Sequence, residues 1–486
     1  MRRPGICAAA AVLAACVHIP EKTPEPRLPS RAPLADAPAV TAAAAGPGAR
    51  VPGARWPDAE WWRRYQDPAL DEIVRLSLAS APSLSAARAR FEVARASVRE
   101  VGAAAGAHVD VSVDVSRQRL SDNGLFAPEI LGFNWYNQAD LGLQASYTFD
   151  WWGKQRAAVR SAVDTARARD AESSSARLTL VSSILDTYFG WQSDQARLKL
   201  ALQRVANAER REAIDVARVK AELDSPDTVR EVHALVGAAR DQVAALEGSA
   251  RLRIVALAAL TGLAAAELPR LTPQDLPTVA AELPDNLGID LLSRRADITA
   301  SRWRVEAARS SADSARADFY PDVSLKALAG LSSLQLGKLL EAGSAVPAIS
   351  AAVHLPIFDA GRLSARYGAT RSQLSSAVAD YQDTVNNAAK DVATQVTTRQ
   401  QVLAQRAIRI GSVSDAQTLY RAAQARVAAG LTDLRPQLEA EQNVLVQQDT
   451  LLQLNAAAVA VDVALQRALG GGYDATVTPM PTQKTS

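Results

Sequence analysis

The sequence predicts a mixed α/β protein, mainly α, laid out as two copies of one plan. Three observations predict it. Residues 154–221 and 362–429 are two very long stretches without a single proline. Short runs of strict apolar/polar alternation stand before each of them. The segment 83–113 aligns without gaps onto 297–327. Composition agrees, since hydrophobic residues make up 48% of the 486 but aromatics only 5%, so the apolar content is largely Ala, Val and Leu. Small aliphatic side chains suit closely packed long helices better than a bulky globular core. The formal net charge of +2 argues against a nucleic-acid partner.

The chain opens with Arg2 and Arg3, then an apolar run from Ile6 to Leu13. A basic start and a short apolar core form the pattern of an export signal, and the run is too short to span a bilayer. It ends in Leu13-Ala14-Ala15-Cys16, which resembles the lipobox of bacterial lipoproteins. On that resemblance residues 1–15 are a signal peptide and Cys16 carries the lipid; an ordinary signal peptide containing a cysteine is the alternative. Val17 rather than Asp follows, so by the same resemblance nothing retains the product at the inner membrane. Cys7 is the only other cysteine and lies in the removed segment, which leaves no thiol for a disulfide or a Cys/His metal site. Residues 16–55 are rich in Pro and Ala and read as a tether. No later stretch approaches the ~18 apolar residues of a transmembrane helix, so any membrane crossing has to be a β-barrel.

The first repeat covers 56–265 and the second 291–470, with a linker at 266–290 and a tail at 471–486. Arg88, Arg90, Glu92 and Arg95 equal Arg302, Arg304, Glu306 and Arg309, and Phe149-Asp150 matches Phe358-Asp359. Each repeat opens with an amphipathic helix, for which Ser83 and Asp297 are the expected N-caps. Two strands follow, expected near 108–120 and 139–150, then near 321–332 and 346–358. Val109, Val111, Val113 and Val115 alternate with Asp110, Ser112, Asp114 and Ser116, which is the signature of outer-membrane strands and also of a soluble sheet with one wet face. Aromatics at both ends of the second strand, Phe133, Trp135 and Tyr136 before it and Phe149, Trp151 and Trp152 after it, fit two membrane interfaces. The long helices of 154–221 and 362–429 would each run for roughly 100 Å. Return helices are expected at 226–262 and 436–469, starting at Pro226 and Pro436, and Leu438, Leu445, Leu452 and Val459 in the second are spaced as in a coiled coil.

This order resembles the TolC-type outer-membrane efflux channels, lipoprotein branch, over almost the whole mature chain. The motifs that carry the resemblance are Trp61-Trp62-Arg63-Arg64-Tyr65-Gln66-Asp67-Pro68, Asp150-Trp151-Trp152-Gly153-Lys154, Leu292-Ser293-Arg294-Arg295-Ala296-Asp297-Ile298, Phe319-Tyr320-Pro321, Pro356-Ile357-Phe358-Asp359-Ala360-Gly361 and Ala468-Leu469-Gly470-Gly471-Gly472. Ala296 replaces the family's Pro, Tyr473 its Trp, and Glu222 a common Gly. The resemblance implies a homotrimer in which each protomer gives four strands to a 12-stranded outer-membrane β-barrel continuing into a long periplasmic α-helical barrel. It implies a periplasmic adaptor and an inner-membrane RND-type pump as partners, outer-membrane lipid around the barrel, a passive exit duct for drugs or toxic compounds, and no cofactor.

The helix–turn–helix tips fall at 218–228 and 426–436. In the family these close the resting pore and meet the adaptor, which points to Leu223, Asp224, Gly430, Leu431, Thr432 and Asp433 as adaptor contacts. Glu439, at a family carboxylate position, and Glu231, its equivalent in the first repeat, are candidates for a ring of carboxylates at the aperture; solvated helix charges are the alternative. His108, His354 and His233 show no metal spacing, His18 lies in the tether, and no catalytic constellation stands out. The rival readings are a channel for one-step (type I) protein secretion, a periplasmic adaptor with one helical hairpin, and a soluble coiled-coil lipoprotein.

Overall fold

The computed structural model describes residues 19–22, 24, 28, 56–123, 128–278 and 287–475. The expected signal peptide, Cys16, nearly all of the tether, part of the 266–290 linker and the end of the tail lie outside these residues. The elements in chain order are α1 (Pro68–Ser80), α2 (Pro82–Ala104), β1 (His108–Arg119), β2 (Trp135–Phe149), α3 (Lys154–Lys220), α4 (Pro226–Thr261), α5 (Leu287–Arg294), α6 (Ala296–Ala317), β3 (Asp322–Ser333), β4 (Ala345–His354), α7 (Arg362–Ala428) and α8 (Arg435–Ala468), with short helical turns between some of them. The chain divides into two units, one of Met1–Leu28, Phe91–Ala168 and Ser301–Tyr381, the other of Pro29–Arg90, Arg169–Ala300 and Gln382–Ser486.

The first unit holds a four-stranded antiparallel sheet in the order β1-β2-β3-β4. β2 starts at Trp135, earlier than its alternation suggests, because Trp135 pairs with Arg119 and Gln138 with Ser116. β4 stops at His354, short of the expected 358; Pro356 just beyond has no N–H to give a ladder. The matched Phe-Asp pairs of the two repeats do the same job at the strand-to-helix turns. Asp150 accepts from the backbone N–H of Gln155 (3.0 Å) and Arg156 (2.9 Å). Asp359 accepts from Gly361 (3.1 Å) and Leu363 (2.8 Å). Lys154, the last residue of the Asp-Trp-Trp-Gly-Lys motif, reaches Asp318 at 2.9 Å and Asp322 at 3.4 Å, and Arg366 meets Asp318 from the other repeat's long helix at 2.9 Å.

The second unit is a helical core. Leu70, Ile73 and Val74 of α1 pack with Ile184, Leu185 and Tyr188 of α3. Asp67 caps α1 through Ala69 N and Leu70 N and also accepts from the Tyr188 hydroxyl at 2.5 Å. Gln192 continues this buried chain to the Tyr188 oxygen (3.0 Å) and to the backbone of Thr272 and Gln274, which fastens the linker segment to α3. Burial raises the Tyr188 pKa, and its bond to Asp67 adds to the rise, so the hydroxyl stays a donor. The α3–α8 pairing rests on Arg197 with Asp449 (2.8 Å) and on Asn207 with Leu438 O (3.1 Å). Gly190, the only glycine of α3, seats the Arg253 guanidinium that crosses from α4 to the buried Asp194 at 2.6 Å. Gly470 to Gly472 all have positive φ, and a Cβ on the first or last would collide with the backbone of Arg294 or Asp58.

The two expected N-caps do not form as read. Pro82 takes the first position of α2, where a missing N–H is no loss, and Ser83 is inside the helix. Asp297 lies inside α6, its carboxylate held by Arg295 at 3.0 and 2.6 Å.

Candidate functional site

Directly opposed residues of antiparallel strands share a face, and successive residues alternate between faces. The register therefore sorts the sheet. One face carries the rows Val109–Ala145–Ala327–Ile349, Val111–Leu143–Ala329–Pro347 and Val113–Leu141–Leu331–Ala345. The other carries His108–Ser146–Lys326–Ser350, Asp110–Gln144–Leu328–Ala348 and Asp114–Asp140–Ser332. Along β2 the apolar rows run from Phe149 to Ala139, about 34 Å of strand at about 3.4 Å per residue. Tilted by about 45°, that is close to the ~25 Å apolar band of outer-membrane barrels. Aromatics close the band at both ends. Phe149 stacks on Trp151 at 5.8 Å, Trp152 on Tyr320 at 4.6 Å, and Trp152 Nε1 donates to Pro321 O at 2.9 Å. At the loop end Phe133 meets Tyr136 at 6.4 Å and Arg117 lies over Trp135 at 5.5 Å. β1 and β4 are the sheet's edges, and every residue of β4 is exposed.

The two hairpin tips of the second unit are built alike. α3 and α7 are each 67 residues long. Leu223 N–H donates to Arg218 O (2.9 Å) and Glu222 N–H to Val219 O (3.0 Å); Leu431 N–H donates to Arg426 O (2.9 Å) and Gly430 N–H to Val427 O (3.0 Å). Both are Schellman turns, which need a left-handed residue just past the helix. Gly430 supplies it at φ 70°, and Glu222 is forced into it at φ 58°. Arg218 and Arg435 then tie the tips together. Arg218 holds Asp224 at 2.6 Å and lies 3.6 Å from Asp433; Arg435 holds Asp433 at 3.0 Å and Asp224 at 3.1 Å. The Arg218 hydrogen bond keeps the Asp224 carboxyl below its ordinary range, and that of Arg435 does the same for Asp433. Arg435 also lies 4.0 Å from the buried Asp215.

Of the residues singled out in the sequence, Asp224 and Asp433 are thus engaged inside the protomer. Leu223 and Leu431 project, 62% and 77% exposed, and Thr432 is half-exposed. Glu439 and Glu231 are exposed just past the first turns of α8 and α4, and neither has an ion-pair partner among the described residues. Cys16 is outside the described residues. Sequence reasoning missed Arg218, Arg435 and Asp215. Arg218 was visible only as the first residue of the 218–228 tip, and nothing local marks a pair made across two turns.

Residues 73–263 and 287–471 match the model of the outer membrane efflux protein family. The chain belongs to that family. Efflux-family relatives include the multidrug resistance outer membrane protein MdtP of Escherichia coli O6:H1, 32% identical over 85% of this chain and 86% of its own length. MdtQ of Escherichia coli O157:H7 is 33% identical over 85% and 87%. Among solved structures, the outer membrane protein VceC of Vibrio cholerae superposes with a TM-score of 0.76 at 31% identity, covering 86% of this chain and all of that one. The CmeC outer membrane channel of Campylobacter jejuni, at 22% identity, shares the fold with a TM-score of 0.79 over 87% and 90%. The mainly helical TolC-like fold read from the sequence is the fold found. The outer membrane efflux protein family is one of exit ducts located in the outer membrane, and its members are not enzymes.

Proposed function

We propose that this outer-membrane efflux channel works as a homotrimer that releases drugs or other small toxic compounds received from a periplasmic adaptor and an RND-type inner-membrane pump. The two-faced sheet carries the reading. Its apolar face is sized for lipid, its polar face for water, and its two edge strands cannot stay unpaired in a bilayer. Closing β4 of one copy on β1 of the next removes both edges. Two copies would give an eight-stranded barrel filled by its own side chains, whereas three leave a lumen. Relatives named for multidrug resistance favour small molecules over secreted proteins.

Leu223 and Leu431, equivalent and exposed at the two turns, are suited to dock a partner's apolar groove, which supports an adaptor contact at the tips. The Arg218–Asp224–Arg435–Asp433 clasp holds the tips together, and Glu439 and Glu231 bring carboxylates to the aperture. Lipidation at Cys16 would tether the chain through the segment after it, which meets α6 and α7 at two points. Arg316 Nε donates to Pro20 O at 2.8 Å and the Tyr367 hydroxyl to Glu21 O at 2.7 Å, while Arg316 lies over Tyr320 of the aromatic end of the band.

Deleting the gene from its host and measuring growth inhibition by dyes, detergents and antibiotics, alongside the secreted proteins, tests the reading. Sensitisation with an unchanged secretome is expected. Lost secretion without sensitisation would favour the protein-secretion channel instead.

A further inference from the structure

The outward, apolar face of the sheet carries no carboxylate on any strand. Asp110, Asp114, Asp140 and Asp322 all fall on the opposite face. Two cations nevertheless stand on the outward face, Arg117 and Arg119, one after the other in its alternation at the loop end of β1 and just beyond Val115, the last apolar residue. Their register partners are Asn137 and Trp135. The Arg117 guanidinium sits 5.5 Å from the Trp135 ring centroid and has no carboxylate partner among the described residues. Among the described residues Arg119 reaches only Asp122 of the following loop, at 3.3 Å, with both side chains more than half exposed.

This end of β1 is the far end from α2, and the corresponding end of β2 is far from α3. On the channel reading, on which this inference rests, the helices lie in the periplasm and the loop end meets the outer leaflet. A guanidinium laid against an indole loses water from one side and keeps its N–H fork free for a bidentate acceptor. The acceptor that matches such a fork is a carboxylate or a phosphate, and the outward face supplies neither. The lipid of that leaflet supplies phosphate. Below the arginines, Val113 and Val115 offer a bare apolar ridge, both about two-thirds exposed at 66% and 67%.

We propose that Arg117, stacked on Trp135 and helped by Arg119, binds the phosphate of an outer-leaflet phosphorylated glycolipid whose acyl chains lie over Val113 and Val115. Each copy of β1 carries one such site, so a trimer would hold three. The aromatic ring fixes the depth of the phosphate, and no strand residue of that face offers Arg117 a competing carboxylate.

The test uses the full-length protein purified in detergent and incubated with bisphosphorylated lipid A, with its dephosphorylated form or with inorganic phosphate, the bound lipid being counted by native mass spectrometry. The wild type is expected to retain the phosphorylated lipid and to release the dephosphorylated one. The double variant Arg117→Gln/Arg119→Gln should bind at least tenfold more weakly, and Lys326→Gln, on the opposite face, should bind as the wild type does. Equal binding by the double variant, equal retention of both lipids, or displacement by equimolar inorganic phosphate would overturn the proposal. If the double variant does not assemble, Arg117→Lys replaces it, since a point charge without the planar fork should lose affinity severalfold, and full affinity would refute the stacked-fork site. Failure of the channel reading looks different, because then no version of the protein forms a heat-modifiable oligomer with a detergent belt.

Discussion

Glu222 and Gly430 occupy the same turn position, and the difference between them is a matter of one Cβ. A left-handed conformation costs a residue other than glycine roughly 1–2 kcal/mol, and Glu222 bears that cost at φ 58°. Glu222→Gly is therefore expected to raise stability by about 1 kcal/mol, visible as a higher thermal midpoint, while Gly430→Val should lower it and impair export. An unchanged midpoint for Glu222→Gly would mean that the turn is not strained. Glu439 is the residue on which the aperture reading depends. If its carboxylate faces the pore, Glu439→Gln should reduce cation preference and block by multivalent cations in single-channel recordings. A wild-type response would leave it a solvated helix charge. The position of Glu439 was visible in the sequence, and so was the absence of a glycine at 222. The missing Cβ at Gly190 was visible too, but not the Arg253 guanidinium that fills the space.

The helices, their lengths and their stop signals were legible because each depends on neighbours in sequence: no proline inside, Pro226 and Pro436 at the start of the return helices. Their starts were less so. Ser83 has the chemistry of a cap, but Pro82 before it fits the first helical position better, so the helix begins two residues sooner. The clasp was not legible at all, because Arg435 and Asp224 are 211 positions apart and meet only when two hairpins lie side by side. Its pH response follows from the depressed carboxyls. A carboxyl whose folded pKa is below its unfolded value stabilises above the unfolded value and loses that contribution as pH falls through the folded one. Asp224 and Asp433 should therefore hold the tips above about pH 4 and release them as acid protonates both. Asp433 is exposed and Asp224 half-buried, so high salt should weaken the clasp in part as well. A pair of probes on the two tips should report separation on acidification below about pH 4, and Arg435→Gln should show it already at neutral pH. Tips that stay together in that variant would assign them to packing alone.

The whole molecule is defined by which face of the sheet meets lipid, and adjacent residues of β1 test it. Val111 lies on the apolar face in the middle of the band and Asp110 on the polar face. An arginine at the bilayer midplane costs about 2–4 kcal/mol, so Val111→Arg should abolish the heat-modifiable trimer on gels. Asp110→Asn should assemble normally and change only ion selectivity. Equal tolerance of both would return the strands to the soluble-sheet alternative.

The alternation that sorts these faces is a property of the sequence alone, since period two fixes which side chains share a side whatever the strand pairs with. The sequence by itself also determined the length of the helices and the place of the tips. Only the tertiary structure decided the register of β2, which draws Trp135 into the sheet opposite Arg119, and the ionic links between the two hairpins. Those depend on free energies of contact between segments far apart in the chain, and a linear pattern carries no record of distance.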